Sequence, residues 1–112
     1  MAARRFGALD LQTTNETLLM SGTSGWDSTV NVRFTNRNST PVRVRLALVD
    51  APAAGALAAL SDEDYLEYDI EIRPNGVLEN SGLVVPEDHS LVVKTDIVNV
   101  SVIAYGFEEQ KV

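Results

Sequence analysis

The chain has 112 residues, the size of one domain, and its lack of cysteine excludes disulfides, thiolate metal sites and cysteine nucleophiles. Hydrophobic residues make up 45% of the sequence, and no apolar run reaches the length of a membrane span, a pattern typical of soluble globular proteins. The net charge of −7 argues against binding to a nucleic-acid backbone.

Residues 1–15 are predicted to form an extended N-terminal arm, because they have no helical period and only Leu9 and Leu11 alternate with polar residues. Asp10 and Gln12 interrupt the apolar stretch that a secretory signal peptide would need. Two structures fit this segment: an edge strand on its own domain, or an arm that adds a strand to a neighbouring subunit. In the second case the candidate partner-binding residues are Arg4, Arg5, Phe6, Leu9 and Leu11.

Residues 16–107 are predicted to form a β-sandwich domain, because alternating apolar and polar residues have the period of half-buried strands. The predicted strands are residues 17–20, 29–36, 42–49, 65–72, 77–85, 90–94 and 98–105. Pro74-Asn75-Gly76 predicts a turn, and Asn80-Ser81-Gly82 predicts a bulge. The fold class is therefore all-β: an antiparallel sandwich, Ig-like or jelly-roll-like, of about seven strands with the N-terminal arm attached.

The segment Ala53 to Ser61 is rich in alanine and leucine but contains Gly55, so it predicts a loop with one helical turn packed by Leu57 and Leu60. Trp26 lies at the centre of another loop, where a large aromatic residue is either a lid on the sandwich or an anchor for a partner. Residues 108–112 predict a short polar tail on the surface.

The residues that could carry chemistry do not form a recognisable catalytic or metal motif. His89, the single histidine, lies between Asp88 and Ser90, but strand neighbours point to opposite faces and no nucleophile elbow accompanies them. The acidic run Asp62-Glu63-Asp64 does not have the spacing of a calcium loop. We therefore assign no catalytic, cofactor-binding or metal residues, and we expect a protein that is not an enzyme and needs no cofactor.

Outward charges on the predicted strands have opposite signs: the arginines are Arg33, Arg43 and Arg45, and the carboxylates are Glu67, Asp69 and Glu71. If these strands are neighbours, the charges form cross-strand ion pairs. If they lie in different sheets, the domain has a basic face and an acidic face through which identical copies could dock. Arg43, Arg45 and Trp26 are accordingly candidate partner-binding residues, and a solvated outer face is the alternative.

Several motifs resemble those of small virion structural proteins of tailed bacteriophages, particularly phages of marine bacteria. They are D-Y-L-E-Y-D at 64–69, N-G-V-L-E-N-S-G-L at 75–83 and N-V-S-V-I-A-Y-G-F-E-E at 99–109. The segment from Thr29 to Asp50 is also similar, and the resemblance extends over roughly residues 13–109. It implies a β-sandwich located in the virion and transfers no site residues.

The expected function is a capsid decoration or cement protein that binds the outer surface of the head and stabilises contacts between major capsid subunits. Its expected partners are the major capsid protein and copies of itself, as a homotrimer, with no nucleic acid and no membrane. The protein would be made in the host bacterial cytoplasm. A tail, baseplate or fibre component is the first alternative, and a carbohydrate-binding module with a platform of Trp26, Tyr65, Tyr68 and Tyr105 is the second.

Overall fold

A computed structural model describes residues 2–111, and within them the chain forms eight strands in two four-stranded antiparallel sheets packed together. The elements in chain order are β1 (Ala2–Leu11), β2 (Thr17–Ser21), β3 (Trp26–Asn36), β4 (Val42–Val49), α1 (Ala56–Ala59), a 3₁₀ turn (Asp62–Asp64), β5 (Tyr65–Ile72), β6 (Val77–Val85), β7 (Ser90–Thr95) and β8 (Val100–Gln110). The first sheet has the order β1-β8-β3-β6, and the second has the order β2-β7-β4-β5. The all-β antiparallel prediction is confirmed at this level.

The strand pairs are nested along the chain. β1 pairs with β8, β2 with β7, β3 with β6 and β4 with β5, so the chain follows the path of one long hairpin. Pairing of β3 with β8 and of β4 with β7 completes the two sheets. Every connection except β4–β5 passes from one sheet to the other. The hairpin is therefore rolled up so that each sheet contains strands from both halves of the chain: β1 and β3 with β6 and β8 in the first sheet, and β2 and β4 with β5 and β7 in the second.

The core lies between the sheets and follows the predicted alternation. In β3, Val30, Val32 and Phe34 are fully buried, and in β4 the same holds for Val44 and Leu46. The β8 residues opposite Phe34 and Val32 are Val102 and Ala104, which are also buried. Alternate apolar positions on facing strands thus produce one continuous core.

A second, smaller group of buried residues lies on the outer side of the second sheet. Ala47, Val49 and Val92 point away from the main core and pack with Ala56 of α1 and with Ala51. Partly buried side chains at the margin of this group are Leu18, Leu60 and Tyr65. The long β4–β5 connection thus covers part of this face. Leu60 packs as predicted, whereas the prediction for Leu57 was wrong, because α1 leaves its side chain 51% exposed.

The number of strands differs from the prediction because the N-terminal segment is a strand. β1 pairs with β8 from Ala2 opposite Glu108 to Leu11 opposite Val100, with a register shift near Phe6. An arm that extends away from the body is therefore not what residues 2–11 form in this chain. The edge-strand alternative describes this pairing, and Met1 lies outside the described residues.

Three other local features can be compared with the sequence predictions. The bulge predicted at Asn80-Ser81-Gly82 is confirmed, since the β3–β6 register shifts there and Gly82 has a φ of +71°. The turn at Pro74-Asn75-Gly76 is confirmed by a bond from the Gly76 amide to the Arg73 carbonyl at 2.9 Å. The polar tail is shorter than predicted, because β8 continues to Gln110; Val112 lies outside the described residues. No described helix is long and apolar enough to cross a membrane.

Candidate functional site

The outer side of the first sheet is a broad surface on which every side chain remains partly or fully exposed. Its strands place their outward residues in cross-strand rows, because the pleat alternates side chains between faces. We call this surface the open face; it comprises Ala3, Arg5, Ala8, Asp10, Asp27, Thr29, Asn31, Arg33, Thr35, Val77, Glu79, Val84, Ser101, Ile103, Tyr105, Phe107 and Glu109.

One row of the open face is free of charge. Ala3 lies opposite Phe107, Phe107 opposite Thr29, and Thr29 opposite Val84, so the row crosses all four strands. Phe107 is 37% exposed and Val84 is 59% exposed. Contiguous exposed apolar residues on a folded domain are characteristic of interaction surfaces. This row is the most apolar part of the open face.

Several charges on the open face take part in hydrogen bonds or ion pairs within the chain. Tyr105 Oη donates to Glu79 Oε1 at 2.6 Å, and Arg33 Nη1 lies 4.0 Å from the same oxygen. This hydrogen bond to the Glu79 carboxylate stabilises the protonated Tyr105 hydroxyl and so raises its pKa. Arg37, at the margin, pairs with Asp10. The face carries two arginines, Arg5 and Arg33, and four carboxylates, of which Asp27 pairs with Lys111 at 3.7 Å.

A shallow depression of about 390 Å³ interrupts the open face between β1, β8 and β3. Ile103 and Ala8 line its apolar part, and Asp10 and Arg33 line it with opposite charges. Hydroxyl-bearing Thr35 and Ser101, together with Leu9 and Val102, complete the lining. The depression is open to solvent and has room for a side chain of a docked protein.

The N-terminal residues predicted to bind a partner are mostly engaged within the chain. Leu11 is in the core, and Phe6 and Leu9 pack against it. Arg4 donates to both carboxylate oxygens of the buried Glu108, at 3.2 and 3.3 Å, and its guanidinium lies 5.1 Å from the Phe6 ring centroid. Of these five residues, only Arg5 lies on the open face, opposite Tyr105.

Of the other predicted partner-binding residues, Arg43 and Arg45 lie together on β4, and Trp26 lies in the other sheet. Trp26 is the half-buried first residue of β3 at one end of the sandwich, a placement that favours the lid interpretation. Of the two alternatives for the outward charges, the cross-strand one is confirmed for Arg43 and Arg45, because β4 and β5 are hydrogen-bonded neighbours. Arg43 pairs with Glu71 at 3.6 Å, and Arg45 pairs with Asp69 at 2.6 Å.

Sequence reasoning did not identify the main residues of the open face. The sequence singles out neither Ile103 nor Phe107, and it points to Tyr105 only in the carbohydrate-binding alternative. The sequence did contain a sign of this surface, because the last strand has apolar residues on both of its sides. A strand of that kind is usually covered or contacted on both sides. The same applies to Val84, which alternates with the buried Val85.

His89 and the acidic run have structural contacts in the described chain. His89 Nε2 lies 3.2 Å from Asp50 Oδ1, which links the β6–β7 loop to the β4–β5 connection. In the 3₁₀ turn, Asp64 accepts a hydrogen bond from the Ser61 amide at 2.9 Å. Among residues 2–111, no group of three or more metal-ligating side chains comes together.

No family model, curated protein or solved structure matches this chain.

Proposed function

We propose that this chain is a virion structural protein, a decoration or cement protein that binds the outer surface of a phage head through its open face. It stabilises contacts between major capsid subunits and acts by binding alone, as a homotrimer. The observation that carries the proposal is the uncharged row of Ala3, Phe107, Thr29 and Val84, which crosses all four strands of the open face.

The strand order supports this proposal. Eight strands in the nested pairs β1–β8, β2–β7, β3–β6 and β4–β5 have the arrangement of a jelly roll. Viral capsid proteins use this architecture, as do lectins and cupins. The topology therefore favours the jelly-roll alternative over the Ig-like one. Because capsid proteins, lectins and cupins share this topology, the function must be argued from the residues on the outer faces of the sheets.

The two outer faces of the sandwich differ in a way that favours docking through the first sheet. The second sheet is partly covered by α1 and carries Arg43–Glu71 and Arg45–Asp69 pairs. Both outer faces carry ion pairs and exposed or partly exposed aromatic residues, Phe107 and Tyr105 on the first sheet and Tyr68 on the second, so they differ in the partial cover that α1 provides. Aromatic residues are enriched and unpaired charges are depleted in the centres of protein interfaces.

The distribution of acidic residues also supports an exposed position on the particle. Asp50 and the Asp62–Asp64 turn belong to the β4–β5 connection, and Glu87 and Asp88 belong to the β6–β7 loop that contacts it. None of these carboxylates lies on the open face. An anionic end that points to solvent keeps the decorated particle soluble.

Particle binding by matched variants tests this proposal. Phe107→Asp places an unpaired charge in the apolar row, and we expect it to reduce binding to particles that lack the protein by about tenfold or more, since leaving a charge buried and unpaired costs several kcal/mol. Leu57→Asp adds the same charge at an exposed apolar site on α1 and serves as the control. Co-sedimentation with particles measures both, after circular dichroism has shown that each variant is folded. Equal binding by the two variants would contradict docking through the open face.

A further inference from the structure

Two charged side chains of the open face form no ion pair within residues 2–111. They are Arg5 on β1 and Glu109 on β8, and both are exposed. The remaining charges of this face are paired within the chain: Arg33 with Glu79, Asp10 with Arg37 and Asp27 with Lys111. Arg5 and Glu109 are therefore the two charges of the open face that stay available to another molecule.

These two charges lie on opposite sides of the apolar row. Arg5 is opposite Tyr105, and Glu109 is opposite Asp27, whereas Phe107 lies between these two positions on β8. Four residues of β8 separate the two charged rows, a distance of about 13 Å along the strand. A protein interface of ordinary size, about 800 Å² on each partner, covers all three rows. The footprint thus contains a cation, an apolar strip and an anion, in that order.

Both charges need an opposite charge when the apolar row is covered. Arg5 is two residues from Ala3 of the row, so a protein docked there also removes water from its guanidinium. A charge that is covered without an opposite charge destabilises a complex. Glu109 lies directly opposite the carboxylate of Asp27, and like charges in that position repel each other. A cation on the docked protein would relieve this repulsion.

We infer that the surface bound by the open face is an apolar strip with a carboxylate beside Arg5 and a basic side chain beside Glu109. The inference rests on the proposed docking function and specifies the chemistry of the partner at that site. A guanidinium holds a carboxylate through two parallel hydrogen bonds, which fixes geometry as well as contact. Turning the partner by half a turn on the face would bring like charges together. The two charges therefore set the orientation of the protein on its partner, and the row of Phe107 supplies the apolar contact.

Charge reversal at each position tests this inference. Arg5→Glu and Glu109→Lys should each weaken co-sedimentation with particles that lack the protein by about tenfold, because like charges then meet. Arg73→Glu and Glu16→Lys are the matched controls, since they make the same charge changes at exposed loop residues outside the open face, and they should bind as the unaltered chain does. Raising the salt concentration from about 0.05 to about 0.5 M should reduce the difference between Arg5→Glu and Arg73→Glu, because salt screens charges. Circular dichroism first shows that each variant is folded.

Two results would overturn the inference. The first is that Arg5→Glu or Glu109→Lys binds the particles as tightly as the unaltered chain, or more tightly. The second is that both reversals and both controls weaken binding equally, which would show that the net charge of the chain governs binding. If Phe107→Asp abolishes binding while the reversals leave it unchanged, the proposed function stands and only this inference is wrong. If Phe107→Asp binds as well as Leu57→Asp, docking through the open face is wrong, and this inference is wrong with it.

Discussion

At the scale of single residues, the buried Asn36 connects the loops at one end of the sandwich. The two hydrogens of its side-chain NH₂ group are shared among the carbonyls of Thr40, Ile72 and Arg73, at 2.9, 3.2 and 3.1 Å from the nitrogen, and its side-chain oxygen accepts from the Asn38 amide at 2.9 Å. The alternation of β3 predicts that position 36 points inward. What sequence could not show is that the carbonyls of two separate loops meet there, because that depends on the path of the whole chain.

Asn36→Ala should therefore destabilise the protein by more than the loss of a few side-chain atoms would suggest. Asn36 is completely buried, and its loss leaves several backbone groups without partners. We expect the free energy of unfolding to fall by about 2–3 kcal/mol. Urea denaturation measures it, with the exposed Asn15→Ala as a control that should change stability by less than about 0.5 kcal/mol. A change of similar size in both variants would show that the network does not stabilise the loops.

At the scale of elements, β1 is the segment whose structure the residue pattern could not predict. Leu9 and Leu11 alternate over too few residues to distinguish an edge strand from a free arm. Their burial is decided by the pairing of β1 with β8, whose residues are about ninety positions away in the sequence. The longer alternations of β3 and β4, by contrast, predicted both the strands and their buried sides. Long-range pairing is thus the information that local sequence lacks.

Gly7 provides a test of whether β1 is seated against the second sheet. A Cβ at this position would lie 2.3 Å from the Leu19 carbonyl oxygen, so Gly7→Ala forces the two strands apart. We expect a loss of about 1–3 kcal/mol in the free energy of unfolding, the usual cost of overpacking. Gly55→Ala is the matched control, since nothing lies within 4 Å of its added Cβ, and it should not destabilise. Equal stability of both variants would indicate that β1 leaves the body.

At the scale of the whole molecule, the rolled hairpin leaves its two outer faces unequal. The β4–β5 connection covers part of one face, and the open face presents Tyr105, Phe107 and Val84. Alternation in the sequence predicted two packed antiparallel layers, but strand order depends on nested pairing that no single segment encodes. The ion pairs Arg43–Glu71 and Arg45–Asp69 follow from that order, which decides between the two alternatives that the sequence left open for these charges.

The most direct test of docking through the open face is a cryo-electron microscopy map of particles that carry this protein. We expect density for the sandwich repeated over the outer surface of the head, with the β1-β8-β3-β6 sheet toward the shell and α1 toward solvent. The residues nearest the shell should include Phe107 and Val84. Density restricted to the tail, or the opposite orientation with α1 against the shell, would contradict it.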